Sequence, residues 1–595
     1  MELKHRKDMD RTFMWDLSHI FPTEEAWEAS FKEVEANIPA LADFRGTLGE
    51  SAAQMEKAFR TIDALGEKLE LTYLYAMLNK AGDNGDPQAQ TMEARCMSLL
   101  VSFNATTSWL IPEVLTIPED TLASFMETEG LATYRHMIDD VTRSRAHTLD
   151  AAREELLAQL SDAAQSPDNS YTMLHNVDMT FPTVKDEEGK EVQLTHGNFS
   201  VFRESRDQRV RKEAFEKYFG EFKKYNNTFA AMYAGNVKFD TFYAKIRNHA
   251  SACAASLFRS NVPVSVYDSL VEAIHGGLPT LQRYLQLRKK VLGLDSLNMY
   301  DLYVPMLENV DYTVTFEEAK ALVKEATKPL GEEYGKLLDK AYQENWMDVY
   351  ENKGKTTGAF SCGVHGVHPY VLLNYTDTLH DAFTVAHELG HAMHSYLSSE
   401  AQDYQNHDYH ILVAEVASTV NEVLMTMHLL KTEQDKERKA YILNHFLEGF
   451  RTTVFRQTLF AEFERTAHEM EQAGTPLTAE SLNKVYKDLV TLYYEGVEPS
   501  EPIEVEWSYI PHFYNAFYVY QYATGFSSAV AIVNRTLKTG DASDYLRFLS
   551  MGGSEYPLDE LKVAGVDLTK PEAVASALEV FASSLEELEA LLADI

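Results

Sequence analysis

Cysteine is scarce in this sequence: 595 residues include only Cys96, Cys253 and Cys362. An odd number of widely separated thiols in so long a chain excludes a disulfide framework and fits a reducing compartment. Long apolar runs are missing too. No stretch reaches the roughly 18 consecutive apolar residues of a membrane span. The basic opening "MELKHRK" leads into "DMDRTFMWDLSHIF" and not into the apolar core of a signal peptide. The expectation is a soluble, cytoplasmic protein. Positive charge is also in short supply, with 54 Lys and Arg against 91 Asp and Glu and a formal net charge of −37. Such a surface repels phosphates and anionic lipids, so neither nucleic acid nor a membrane is an expected partner. There is no internal repeat and no low-complexity tail, and nothing in the sequence specifies an oligomeric state.

Strand-like alternation is rare as well. "AAQMEKAFRTIDALGEKLELTYLYAMLNKA" is typical of the region from Thr23 to about Asp168, with apolar residues every three or four positions, as on one face of a helix. The first exception is "DMTFPTVKDEEGKEVQLT", where Glu188-Gly189 between short mixed runs predicts a hairpin. The chain is too long for one compact core. The hairpin therefore sets an expected boundary between an N-terminal helical region, residues 1–195, and the remainder, 196–595. The second exception is "GAFSCGVHGVHPYVLLNYTDTLHD", with clustered glycines and a β-prone run from Tyr370 to Tyr375. The expected fold is mainly α, with a small β element just before the stretch that carries the chemistry.

That stretch is "TVAHELGHAMHSYL", Thr384 to Leu397. His387 and His391, four residues apart on a helix expected over about 379–398, lie about 40° apart around the axis and project toward one point. Glu388 is turned by about 100° from His387, too far to join them as a ligand but able to reach a water held there. This is the H-E-x-x-H arrangement of catalytic zinc sites, which need a third protein ligand and an open position. Downstream, "VAEVASTVNEVLMTMHLL" reads as a helix over about 413–430, on which Glu415 and Glu422 are nearly two turns apart on one face. An isolated acid there would face solvent. Beside H-E-x-x-H, Glu415 completes a His₂Glu set and Glu422 orients a ligand imidazole. His394 shares the ligand face, but a metzincin pattern would require a glycine in its place and a histidine further along, where this chain has Leu397. His394 is therefore read as packed.

These residues resemble the thimet-oligopeptidase-like zinc metallopeptidases and, within them, the bacterial oligoendopeptidase F group. The resemblance runs through "WDLSHIFPTEEAWE", "FYAKIRNHASACAASL", "YDLYVPM", "GAFSCG" with "PYVLLNY", "AHELGHAMHS", "AEVASTVNE" and "PHFYNAFYVYQYATG". It implies one Zn²⁺ per chain on His387, His391 and Glu415, with Glu388 as the catalytic carboxylate. It also implies two helical halves enclosing a deep channel that admits short unstructured peptides. It marks Gly358, Ala359, Phe360 and Tyr370 as a small sheet able to pair with a peptide backbone. In the last segment Tyr514, Tyr518 and Tyr522 recur every four residues and predict one helical face of phenols, a pattern usual in cores. The resemblance assigns substrate-carbonyl hydrogen bonding to His512, Tyr514 and Tyr518. The segment departs from the related oligopeptidases, which have a longer glycine-rich loop after the histidine and a tyrosine where this chain has Gln521. The expected activity is zinc-dependent endopeptidase. Zinc carboxypeptidase or dipeptidyl carboxypeptidase chemistry on a similar scaffold, and a zinc-stapled peptide binder, are the alternatives.

Overall fold

A computed structural model describes residues 3–307 and 312–594. The fold is mainly α, as the periodicity predicts, and among the described residues the strands fall in two small sheets. Among the described residues, no helix is long and apolar enough to cross a membrane.

The chain divides into two compact units, each assembled from three segments. The first comprises 1–145, 312–428 and 532–566, and the second 146–311, 429–531 and 567–595. This differs from the linear split at residue 195. The expected hairpin forms, with β1 (Thr183–Lys185) antiparallel to β2 (Glu191–Gln193) and Gly189 at φ +81° in the turn, but it lies inside the second unit. Helical periodicity shows which face of an element is buried but not which distant element buries it, so the interleaving of segments has no local signature.

In the first unit, long helices Ala52–Gly82 and Pro87–Thr107 pack side by side. Trp27, Phe31, Leu69, Tyr75, Met92 and Leu99 form one apolar cluster there. A neighbouring cluster joins Trp15, Leu74 and Leu78 to Tyr370 and Leu372, which fastens the second sheet to the Ala52–Gly82 helix. Each such Leu or Met contributes about 1.5–3 kcal/mol on burial. The sheet has strand order β3 (Met347–Asp348), β5 (Tyr370–Leu372), β4 (Phe360–Cys362). Strand β5 is parallel to β3 and antiparallel to β4. Because β5 is central, Tyr370, Val371 and Leu372 are all buried, which accounts for an apolar run where alternation would mark an edge strand. Among the described residues β4 pairs with β5 alone.

The H-E-x-x-H helix follows this sheet and runs Leu379–Ala401. Its start is set by a capping box: Asp381 N–H donates to Thr378 Oγ1 at 3.1 Å, and the Asp381 carboxylate accepts from Thr378 N–H at 3.2 Å. The Glu415 helix runs Ile411–Thr432.

Candidate metal centre

The two helices cross closely enough for side chains of both to share one ion. Gly390 permits this. A Cβ at that position would lie 2.6 Å from both the Ala417 carbonyl oxygen and Ser418 Cα, closer than backbone atoms tolerate. Asn421, fully buried on the Glu415 helix, donates to the Ala386 carbonyl at 3.1 Å and accepts from the Tyr334 hydroxyl at 2.9 Å. Polar ties of this kind, satisfied on both sides, set the helix register. Neither Gly390 nor Asn421 carries chemistry, so no motif spacing marks them. A glycine in mid-helix costs up to about 1 kcal/mol relative to alanine, and that cost is its one local signal. Gly390→Ala is expected to cost about 1–3 kcal/mol in stability through overpacking and to lower metal content by pushing Glu415 away. Thermal unfolding and metal analysis of the purified variant would show this, and a variant with native metal content and native Tm would refute it.

His387, His391 and Glu415 form the single group of potential metal ligands among the described residues, with ligand atoms within 4.8 Å of one another. His387 Nε2 and His391 Nε2 are 3.2 Å apart, and Glu415 Oε2 lies 3.4 Å from the first and 3.6 Å from the second. A tetrahedral ion with bonds of about 2.1 Å requires ligand atoms about 3.4 Å apart. The triangle therefore fits zinc, and two nitrogens with one carboxylate oxygen make a zinc donor set.

The surroundings orient this set. Glu422 Oε1 bonds His387 Nδ1 at 2.5 Å, which leaves Nε2 for the ion. Ser418 Oγ donates to Glu415 Oε2 at 3.2 Å. Burial works against charge on His387, yet hydrogen bonds to Glu415 and Glu422 outweigh it and lift the imidazole to about 10. Hydrogen bonds from both histidines hold the Glu415 carboxyl far below the usual carboxylate range. These carboxylates concentrate negative charge where a cation would sit, and a metal entering there displaces protons. Glu388 is buried, and burial pushes its carboxyl up against the opposing pull of His387 and His391. His394 is packed, as expected: it is buried, its ring stacks on Tyr409 at 3.7 Å, and desolvation pushes it down to about 3.

The remaining predicted site residues separate into groups. Gly358, at φ +80°, accepts from Asn374 Nδ2 through its carbonyl at 2.8 Å, and Ala359 leads into β4 at Phe360. Tyr370 does not belong with them. Its side chain is fully buried, its hydroxyl donates to the Asp16 carbonyl at 3.0 Å, and its strand is central, so packing occupies it wholly.

The aromatic segment lies in the second unit and also departs from expectation. Tyr514, Tyr518 and Tyr522 do not share a helical face: Pro511–Tyr514 is a short 3₁₀ turn, Phe517 has φ +60°, and the helix begins at Tyr520. Tyr514 stacks on Tyr171 with centroids 4.5 Å apart. His512, Tyr518 and Tyr522 gather instead, with His512 and Tyr518 rings 6.3 Å apart, Tyr518 and Tyr522 rings 5.5 Å apart, and Tyr522 Oη 3.3 Å from His512 Nε2. Tyr522 is thus a member of the cluster to which sequence reasoning gave no role, and the i, i+4 recurrence was its only signal.

Comparison with known proteins bears directly on this centre. The family model for peptidase family M3 matches residues 201–580, and that for oligopeptidase F matches residues 113–181. Oligopeptidase PepF of Bacillus subtilis is 44% identical over 595 residues, covering 99% of this chain and 89% of that protein. Group B oligopeptidase PepB of Streptococcus agalactiae is 38% identical, with 99% and 98% covered. The crystal structure of oligoendopeptidase-F from Enterococcus faecium superimposes with a TM-score of 0.73 at 36% identity, over 96% of this chain and 100% of that one. With matches that span nearly its whole length, the chain belongs to peptidase family M3, in the oligoendopeptidase F group, and is a metalloendopeptidase.

Proposed function

We propose that this metallopeptidase is a zinc enzyme that hydrolyses internal bonds of short unstructured oligopeptides, with His387, His391 and Glu415 as ligands and Glu388 as general base and acid. The observation that carries this is the near-equilateral triangle of His387 Nε2, His391 Nε2 and Glu415 Oε2, with edges of 3.2, 3.4 and 3.6 Å. The names of the similar oligopeptidases support the substrate class. Zinc held by these residues supplies Lewis acidity toward water and toward a peptide carbonyl. Glu388, on the turn between the two histidines, accepts the proton of the attacking water on its carboxylate and later delivers it to the departing amine nitrogen. Its buried setting raises proton affinity, which suits a group that must take up a proton and then hold it. Glu422 keeps His387 in the tautomer and orientation that ligation needs. His512 and Tyr518 donate hydrogen bonds to the substrate oxygen as it gains negative charge, each worth about 3 kcal/mol in such roles. Tyr514, stacked on Tyr171, is the third candidate donor. Gly358, Ala359 and Phe360 offer the β4 edge to the peptide backbone.

The test is an internally quenched peptide with both ends blocked, incubated with and without a chelator and analysed by mass. Internal cleavage that a chelator abolishes and Zn²⁺ restores is the expected result. Intact peptide would point to an exopeptidase or a zinc-stapled binder, and chelator-resistant cleavage would refute the metal assignment.

A further inference from the structure

The loop that carries Tyr518 holds an unusual backbone conformation. Phe517 has φ +60°, whereas the other described non-glycine residues with positive φ are Asn248, Asn261, Asn345 and Asp377. The short polar side chains of Asn and Asp tolerate that region. A bulky aromatic residue keeps such a conformation only where its surroundings impose it.

Here two side chains act on one peptide group. The Ser256 hydroxyl donates to the Ala516 carbonyl at 2.9 Å, and the Phe517 N–H donates to Glu464 Oε1 at 2.8 Å. That carbonyl and that N–H are the two polar ends of a single rigid peptide plane, so the pair fixes its direction. Glu464 is fully buried, and among the described residues its Oε2 has no hydrogen-bond partner. A buried carboxyl with one oxygen unsatisfied costs stability that an apolar side chain would not. His468 completes the support: it donates from Nδ1 to the Glu464 carbonyl at 2.8 Å, bonds Asp240 Oδ2 through Nε2 at 3.1 Å, and holds its ring 4.7 Å from that of Phe517. Burial pushes the Glu464 carboxyl well above the ordinary carboxylate range against the hydrogen bond from Phe517, and Asp240 adds to the rise.

We propose that Glu464, together with Ser256, is a positioning residue for the peptidase reaction: by clamping the Ala516–Phe517 peptide it sets the direction in which the adjoining Tyr518 presents its hydroxyl. The proposal rests on the reading of Tyr518 as an oxyanion donor. It explains why a buried acid with an unpartnered oxygen sits behind this loop, since packing alone would favour an apolar residue.

The test compares steady-state kinetics of Glu464→Leu, Glu464→Gln, Ser256→Ala, Tyr518→Phe and the Glu464→Leu/Tyr518→Phe double variant, with metal content and circular dichroism measured alongside. Glu464→Leu is expected to lower kcat by roughly tenfold or more, since misplacement of a catalytic group by about 1 Å can cost as much as 10²-fold, while KM and metal content stay near native. Glu464→Gln, which keeps an acceptor oxygen in a neutral group of the same shape, restores most of kcat. In the Tyr518→Phe background Glu464→Leu adds little further loss, because the hydroxyl it positions is already gone. Should Glu464→Leu not fold, Ser256→Ala carries the same comparison from the other end of the peptide. A damaged Tyr518→Phe beside a native kcat in Glu464→Leu and Ser256→Ala overturns the clamp alone, as does an undiminished loss in the double variant. A native kcat in Tyr518→Phe removes the underlying reading, and the clamp with it.

Discussion

Glu388→Gln is expected to cut peptide hydrolysis by about 10²–10⁴-fold, the range that general acid–base catalysis contributes, while the protein keeps its full metal content. The substitution preserves shape and the ability to hydrogen-bond water but removes the proton acceptor. Glu388 lies outside the ligand triangle formed by His387, His391 and Glu415, so metal binding has no need of its charge. The prediction is checked by turnover of a quenched peptide alongside metal analysis of the same preparation. Native turnover would end the assignment of Glu388 as base. A parallel loss of metal would show that Glu388 acts on the ligands and not on the water.

Glu415→Ala and His391→Ala are expected to give the opposite pairing: metal content falls from about one ion per chain toward zero, and activity falls with it. Each change removes one corner of a triangle whose edges are 3.2 to 3.6 Å. Two remaining ligands do not hold zinc at the low free concentrations left after dialysis. Excess Zn²⁺ should restore part of the activity in these variants and none in Glu388→Gln, which separates ligand loss from base loss within one assay. Full metal content in dialysed Glu415→Ala would place the third ligand elsewhere. His394, on the same helix face, is excluded from that role by its burial and by its stack on Tyr409 at 3.7 Å.

Much of this centre was legible in the sequence because its parts are local. The four-residue spacing of His387 and His391 fixes their relative direction wherever the helix lies. Glu415 and Glu422 share a face because seven residues make nearly two turns. The segment before the motif also formed its sheet, although Tyr370 became a central, buried residue with its hydroxyl on Asp16, which strand propensity alone does not reveal. The aromatic segment misled for a related reason. A recurrence every four residues implies a shared face only if the backbone is helical throughout, and Phe517 at φ +60° interrupts it.

The sequence by itself determined the mainly helical class, the histidine pair with its intervening carboxylate, and the helix that carries Glu415 and Glu422 on one face, because each depends on contacts within a few turns of one chain segment. Tertiary structure decided how closely the two ligand helices cross at Gly390, which segments join to form each unit, and which phenols gather around His512. Those outcomes depend on contacts between residues far apart in the chain, which no local spacing encodes.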